Sequence, residues 1–189
     1  MATLFLTEQK YQAPIMLSAQ KYGVPPELIM GHIKQESGFN PSAYRGEPQI
    51  NDASYGMMQM LLKTAKGLDP NATVEKLYTP EYSIDLGTRL IAQNIKKYGN
   101  IPDAIAAYNA GIPRKNEKGE YVNSKGVTNV QFYVNQVTKY TNQYAEWFKA
   151  GKKVIEFSWF DSIIPILLIG VAIYFFVNRG EYDDQGDNA

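Results

Sequence analysis

The sequence predicts an all-α fold, with one helical domain followed by a single membrane-spanning helix. Two observations lead to this prediction. Up to about residue 150, apolar residues recur at helical spacing in segments that begin at Pro or Thr and end at Gly. Beyond that point, residues 163–177 contain no charged side chain. We therefore expect a catalytic domain over residues 1–150, a transmembrane helix over 158–178 and a short acidic tail over 179–189.

The composition excludes several kinds of site. The 189 residues include 19 basic and 19 acidic side chains, so no net field favours nucleic acid as a partner. The absence of cysteine excludes disulfides, zinc–thiolate sites and a cysteine nucleophile. A single histidine argues against a His-rich metal site. We predict no metal and no other cofactor.

The first helix is predicted to begin after Thr7 and to end at Gly23, since glycine readily adopts the left-handed conformation found at helix ends. Tyr11, Ile15 and Ala19 recur at four-residue spacing and form its apolar stripe. We interpret this helix as scaffold.

The second helix carries the main candidate for catalysis, Glu36. Pro25 and Pro26 indicate the helix start and Gly38 its end, so Glu36 falls in the last turn. A carboxyl there can be partly desolvated and have its pKa raised, as a general acid requires, although a solvated surface glutamate is the alternative. His32 lies one turn earlier on the same face. It could tune the acid, but a packed or solvated imidazole is the interpretation that we favour.

The remaining elements of the domain are predicted from the residues that begin and end them. Residues 44–53 are predicted to be a polar loop, and a helix over 61–68 is ended by the Asp–Pro pair that follows it. A long helix over 79–99 carries an apolar stripe and is predicted to be central. Small residues in the helix over 103–111 permit close helix packing. Residues 112–127 are predicted to be a loop or small hairpin, before a final helix capped by the next threonine.

Four sequence blocks occur in order along this domain. They are 36–43 (ESGFNPSA), 54–60 (SYGMMQM), 107–111 (AYNAG) and 132–137 (FYVNQV). Together they resemble the motifs of the soluble lytic transglycosylase family, glycoside hydrolase family 23. The resemblance covers about residues 15–140 and implies a lysozyme-like fold of the goose type, acting on peptidoglycan.

The resemblance also implies residue roles. Glu36 would be the catalytic residue, and Tyr133 would form a hydrogen bond near it. The residues implied to bind substrate are Ser37, Met58, Gln59, Tyr108, Asn109 and Tyr133. Glu36 would protonate the glycosidic oxygen between N-acetylmuramic acid and N-acetylglucosamine. It would then take the proton of the muramyl C6 hydroxyl, whose intramolecular attack gives a 1,6-anhydro product.

Two alternatives stay open at this point. A hydrolytic muramidase would need a second carboxylate to activate water, and Glu47 and Asp52 in the polar loop are the nearest candidates. Arg45 lies close to Glu47 in sequence and favours a local ion pair instead. The other alternative is a non-catalytic, membrane-anchored virion protein that binds peptidoglycan.

The apolar run at 163–177 is the basis of the membrane prediction. With the residues just before it, the segment reaches about 20 residues, enough to cross a hydrocarbon core of about 30 Å. Trp159, Phe160 and Tyr174 lie near its ends, as interfacial aromatic residues do. Asp161 is tolerable only near the interface. The alternative is a buried helix of a soluble domain.

The charges around this segment predict an unusual location. Lys149, Lys152 and Lys153 precede it and Arg179 follows it, which places the large domain in the cytoplasm, away from peptidoglycan. Residues 1–6 are too short for a secretion signal. The plan resembles virion-associated transglycosylases of bacteriophages, so we expect a single-pass protein of a virion's internal membrane. The bacterial inner membrane, facing the periplasm, is the alternative. Predicted partners are peptidoglycan glycan strands, the lipid membrane and other virion membrane proteins.

Overall fold

The structure is a computed structural model that describes residues 6–150, and these belong to two units. The first unit ends at residue 145; of the second, residues 146–150 are described, and they are helical. The predicted transmembrane helix (158–178) and acidic tail (179–189) lie outside the described residues. Within the described part of the chain, no helix combines the length and apolar character that a bilayer crossing requires.

The first unit is mostly helical and contains two small antiparallel sheets. Its helices are α1 (Leu6–Gln9), α2 (Gln12–Tyr22), α3 (Pro26–Ser37), α4 (Leu62–Leu68), α5 (Val74–Leu77), α6 (Pro80–Tyr98), α7 (Ile101–Ala110) and α8 (129–145). Its strands are β1 (Tyr44–Glu47), β2 (Asp52–Tyr55), β3 (Met60–Leu61), β4 (Arg114–Lys115) and β5 (Tyr121–Val122).

Helix α6 is the central element of this unit, because α2 and α7 both pack along it. It begins at Pro80, where a proline costs no hydrogen bond, and it ends at Gly99 with a φ of +77°. Ile84 and Ile91 are buried, as the apolar stripe of the sequence predicts. The prediction of a long central helix is therefore confirmed.

The prediction of one continuous first helix is wrong, because α1 and α2 are separate. The break lies at Tyr11, the residue just before α2, whose backbone angles are φ −104° and ψ 9°. The Tyr11 ring is buried and stacks against that of Phe39, with the ring centroids 6.3 Å apart. Pro14 explains the break, since a continuous helix would need its missing N–H to donate to the carbonyl four residues earlier. Ile15 and Ala19 are buried as predicted.

The all-α prediction is wrong in one region, because the predicted polar loop at 44–53 is largely a β-hairpin. Strands β1 and β2 pair with Tyr44 opposite Tyr55, and β3 adds to β2. The two tyrosine rings lie 5.6 Å apart, a cross-strand aromatic pair that stabilises the hairpin, and the 3₁₀ turn Pro48–Ile50 closes it. Residues 112–127 contain the β4–β5 hairpin, one of the two forms that the sequence predicts.

Candidate active site

Glu36 lies in the last turn of α3, the position that the sequence predicts. Leu28, Ile29 and Ile33 of the same helix are buried and fix α3 in the core. Gly38 ends the helix in the left-handed conformation, with a φ of +62°. The side chain of Glu36 is half-buried, so its carboxyl group is partly desolvated but still accessible to a ligand.

The carboxyl group of Glu36 receives a hydrogen bond from a distant helix. The hydroxyl of Tyr133 on α8 donates to Glu36 Oε1 over 2.5 Å. Burial raises the pKa of Glu36 from 4.5 to about 7, whereas the Tyr133 hydrogen bond and the charge of Arg45 act to lower it. Protonated and ionised forms are therefore both populated near neutral pH, so Glu36 can donate a proton in one step and accept one in the next.

Ser37 connects the end of α3 to the segment that carries Gln59. Its hydroxyl donates to the carbonyl oxygen of Met57 over 2.8 Å and accepts from the backbone N–H of Asn40 at 3.2 Å. In this structure, the Ser37 hydroxyl thus joins two backbone segments beside Glu36. Its contact with a substrate stays a prediction.

The turn at 56–60 adopts a conformation that depends on Gly56. The φ of Gly56 is +72°, and a Cβ atom there would lie 1.9 Å from the carbonyl oxygen of Leu77. Gln59 is also left-handed, with a φ of +45°, and its side-chain amide donates to the Gly56 carbonyl over 3.0 Å. The backbone around the half-buried Gln59 is therefore held in one tight arrangement.

The resemblance implies that Met58 binds substrate, but the Met58 side chain is turned into the core. Met58 is fully buried and packs against Gly87 on α6, where an added Cβ would lie 2.6 Å from Met58 Cε. The side chain points inward because glycine leaves room for it on α6. Only the backbone of Met58 takes part in the site: its carbonyl accepts a hydrogen bond from the Tyr108 hydroxyl over 2.8 Å, and its N–H donates to Ser83 over 3.2 Å.

Tyr108 and Asn109 lie at the C-terminal end of α7. The half-buried ring of Tyr108 is close enough to Glu36 that burial and the carboxylate charge together raise the pKa of its phenol well above the ordinary value. The Asn109 side chain is exposed. Tyr108 therefore holds the Met58 backbone through its hydroxyl, whereas the amide of Asn109 is open to solvent.

The two candidates for a second carboxylate already have protein partners. Arg45 Nε lies 2.7 Å from Glu47 Oε1, which confirms the predicted ion pair. Asp52 accepts backbone N–H groups from Ala53 at 2.7 Å and from Lys63, in the first turn of α4, at 3.1 Å. Both side chains therefore stabilise the hairpin and the helix that follows it.

His32 is a further residue of the site, at a position where the sequence favours a packed or solvated imidazole. His32 is completely buried, which agrees with the packed form of that interpretation and not with the solvated form, and its Nδ1 lies 3.1 Å from the Tyr133 hydroxyl. The imidazole thus contacts the same hydroxyl that binds Glu36. Its i, i+4 spacing to Glu36 was the available signal, but it could not reveal Tyr133, which is 101 residues away from His32.

A family model and several curated proteins match this chain. The family model, described as "Transglycosylase SLT domain", matches residues 14–131. A "Transglycosylase" of Enterobacteria phage PRD1 is 30% identical over 99 residues, which are 52% of this chain and 34% of that protein. "Membrane-bound lytic murein transglycosylase C" of Actinobacillus pleuropneumoniae serotype 5b (strain L20) is 31% identical over 122 residues, with 54% and 31% of the two chains covered. The chain thus spans about a third of the length of these relatives.

Solved structures share the fold. An inactive mutant of the lytic transglycosylase Slt from Pseudomonas aeruginosa superposes with a TM-score of 0.62 at 24% identity, covering 74% of this chain and 24% of that one. A complex of the 70-kDa soluble lytic transglycosylase with bulgecin A gives a TM-score of 0.61 at 23% identity, covering 73% and 24%. The fold is therefore that of lysozyme-like lytic transglycosylases.

Proposed function

The chain belongs to the transglycosylase SLT domain family, and from this membership we propose that it is a peptidoglycan lytic transglycosylase. One observation carries the proposal most directly. The half-buried carboxyl of Glu36 has a pKa raised by burial to about 7 and accepts a hydrogen bond from Tyr133. A group that is half protonated near neutral pH can serve as the acid and then as the base of one reaction.

In the proposed reaction, Glu36 acts twice on one glycosidic bond. Its proton passes to the oxygen that links C1 of N-acetylmuramic acid to N-acetylglucosamine, and the C1–O bond breaks. The carboxylate then takes the proton of the muramyl C6 hydroxyl while O6 bonds to C1. The product is a 1,6-anhydro sugar, no water is consumed, and Glu36 ends protonated as it began. Because the nucleophile belongs to the substrate, it is held at high effective concentration.

The positions of the other carboxylates support this reaction over hydrolysis. A muramidase of the usual kind would need a second carboxylate to activate water. Glu47 is paired with Arg45, and Asp52 accepts two backbone N–H groups. Neither side chain is therefore available for that task without the loss of a contact that holds the hairpin.

We assign the glycan contacts to two kinds of group. Gln59 and Asn109 each follow one of two residues that are joined by the hydrogen bond from Tyr108 to the Met58 carbonyl. Their side chains are half-buried and exposed respectively, and we propose that their amides bind the sugar substituents. The Ser37 hydroxyl donates to the Met57 carbonyl, and the Tyr108 hydroxyl donates to the Met58 carbonyl. We therefore propose that these two residues shape the cleft and that their hydroxyl protons are not donated to the sugar.

The biological setting belongs to the same proposal. We propose that residues 158–178 anchor the enzyme in the internal membrane of a phage virion and that it opens the cell wall locally when the phage genome enters the host. The phage PRD1 relative and the charge-free run at 163–177 support this setting. In flotation with lipid vesicles, the chain should rise with the lipid, and Leu167→Asp combined with Ile169→Asp should prevent it. A wild-type chain that stays at the bottom would refute the anchor.

The catalytic assignment is tested by Glu36→Gln, with Glu47→Gln as the matched control. Release of dye from labelled peptidoglycan should fall at least about 100-fold in Glu36→Gln, because the amide can neither donate nor accept the proton. Glu47→Gln should keep most of the activity. Appreciable activity in Glu36→Gln, with the fold intact by circular dichroism, would remove Glu36 from the role.

A further inference from the structure

A chain of hydrogen bonds reaches Glu36 from the interior of the domain. His32, the only histidine of the protein, is fully buried on α3 one turn before Glu36. Its Nδ1 lies 3.1 Å from the hydroxyl of Tyr133, and that hydroxyl lies 2.5 Å from Glu36 Oε1. The Tyr108 ring lies 4.7 Å from the imidazole, centroid to centroid, and restrains its orientation.

Counting protons along this chain assigns the histidine tautomer. The Tyr133 hydroxyl has one proton and donates it to Glu36, so its oxygen can only accept from His32. When Glu36 is ionised and can only accept, Nδ1 therefore carries the proton of this contact. Burial lowers the pKa of the imidazole to about 3, so the ring is neutral and Nε2 holds a lone pair. Nε2 is buried and has no hydrogen-bond partner within the described residues. Because a buried N–H without an acceptor is rare in proteins, this environment favours an unprotonated Nε2.

We propose that His32 is a positioning residue that donates from Nδ1 to the Tyr133 oxygen, turns the Tyr133 hydroxyl toward Glu36 and strengthens it as a donor to the carboxylate. The role rests on the proposed function, because it concerns the same acid. A hydroxyl that accepts one hydrogen bond becomes a better donor of its own proton. The neutral carboxyl also keeps an acceptor oxygen, so one orientation of Tyr133 serves both protonation states of Glu36.

The other groups that face Glu36 do not replace this contact. Among the described residues these are Tyr108 from α7, whose hydroxyl is bound to the Met58 carbonyl, and Arg45 from β1, which acts by charge. Within the described part of the chain, neither group forms a hydrogen bond with the Tyr133 hydroxyl. A change at His32 should therefore reach Glu36 through Tyr133, while the charge of Arg45 stays as it is.

The tautomer can be tested without any enzyme assay. In the whole 189-residue chain labelled with ¹⁵N-histidine, one imidazole gives all ring signals. Long-range ¹H–¹⁵N spectra should show a protonated Nδ1 and a bare Nε2, with no titration between pH 5 and pH 9. A proton on Nε2, or an imidazole that titrates in this range, would overturn the proposal. This result is independent of whether the protein cleaves peptidoglycan.

Two substitutions then separate positioning from packing. His32→Asn places an amide N–H at the same bond distance from the backbone as Nδ1, whereas His32→Leu removes the donor and keeps an apolar filler. Losing a hydrogen bond of ordinary strength corresponds to about a fivefold effect. We expect His32→Leu to lower kcat by about fivefold, with little change in KM, and His32→Asn to retain kcat within about twofold.

The pH profile is the readout that packing alone would not move. Without the His32 donor, Tyr133 stabilises the Glu36 carboxylate less, so the pKa of Glu36 and the basic limb of kcat should move up by about half a pH unit in His32→Leu. The wild-type limb should be kept in His32→Asn. An unchanged limb in a folded His32→Leu variant, or equal losses in both variants, would overturn the proposal. If His32→Leu does not fold, the tautomer measured in the wild type decides whether Nδ1 donates to Tyr133. If the wild type does not act on peptidoglycan, the proposed function fails, and the tautomer still tests the contact between His32 and Tyr133.

Discussion

Replacing Glu36 by glutamine should stabilise the folded protein in alkaline solution. The pKa of this carboxyl is raised from 4.5 to about 7 in the folded state, mainly by burial. The folded protein therefore binds the proton more tightly than the unfolded chain does. As the pH rises from 4.5 through 7, the wild type loses stability, because the buried group is forced to ionise. Glutamine stays neutral throughout and avoids this cost.

The size of the effect follows from the pKa. The two pKa values lie about 2.5 units apart, and each unit corresponds to about 1.4 kcal/mol, which gives an upper bound of about 3.5 kcal/mol well above pH 7. Glu36 is only half-buried, so solvent reduces the cost of ionisation, and about 1 to 2 kcal/mol is the expected gain. At pH 4 the two proteins should unfold nearly alike, because the wild-type carboxyl is then mostly protonated in both states.

Urea unfolding followed by circular dichroism at pH 4 and pH 8 measures both differences. The matched control is Glu47→Gln, which loses the ion pair to Arg45 and should gain no stability at pH 8. Equal stability of wild type and Glu36→Gln at pH 8, or a less stable variant, would refute the burial of the Glu36 carboxyl on which the site depends.

Two further predictions concern the surroundings of the site. Gly87→Ala should destabilise the domain by about 1 to 3 kcal/mol, because the new Cβ would lie 2.6 to 2.9 Å from Met58 atoms. The control is Gly67→Ala on α4, where the new Cβ meets nothing within 4 Å, so this variant should be neutral or mildly stabilising in the same unfolding assay. Equal effects of the two substitutions would contradict the packing of Met58 against α6. Arg45→Gln should move the basic limb of the pH–activity profile upward by a few tenths of a pH unit, because the Arg45 charge lowers the pKa of Glu36. The shift should shrink at high salt, since Arg45 is exposed, and a downward shift would contradict its sign.

Helix boundaries were accessible from the sequence where one residue type dictates the backbone. Pro26 and Gly38 bracket α3 as predicted, and they place Glu36 in its last turn. Apolar spacing alone does not predict the break before α2, which follows from Pro14, because a continuous helix would need the N–H that proline lacks. The hairpin at 44–55 was missed because its polar sequence resembles a loop, and its stabilising pair, Tyr44 with Tyr55, is defined only by strand register.

The site itself was predicted less completely than the helices, for a geometric reason. The i, i+4 spacing placed His32 beside Glu36, but their connection passes through Tyr133, which reaches α3 only when α8 packs on it. The burial of Met58 depends in the same way on Gly87 of another helix. Contacts between elements far apart in sequence leave no periodic signal, so only the folded chain identifies them.

The chemical nature of the new chain ends distinguishes an intramolecular reaction at Glu36 from hydrolysis. Purified peptidoglycan would be incubated with the whole chain, and the soluble fragments analysed by mass spectrometry, with Glu36→Gln as the blank. Fragments that end in 1,6-anhydro-muramic acid are the predicted result, because O6 replaces water as the nucleophile. Fragments with ordinary reducing ends, which are heavier by one water, would show that Glu36 catalyses hydrolysis and not the intramolecular reaction.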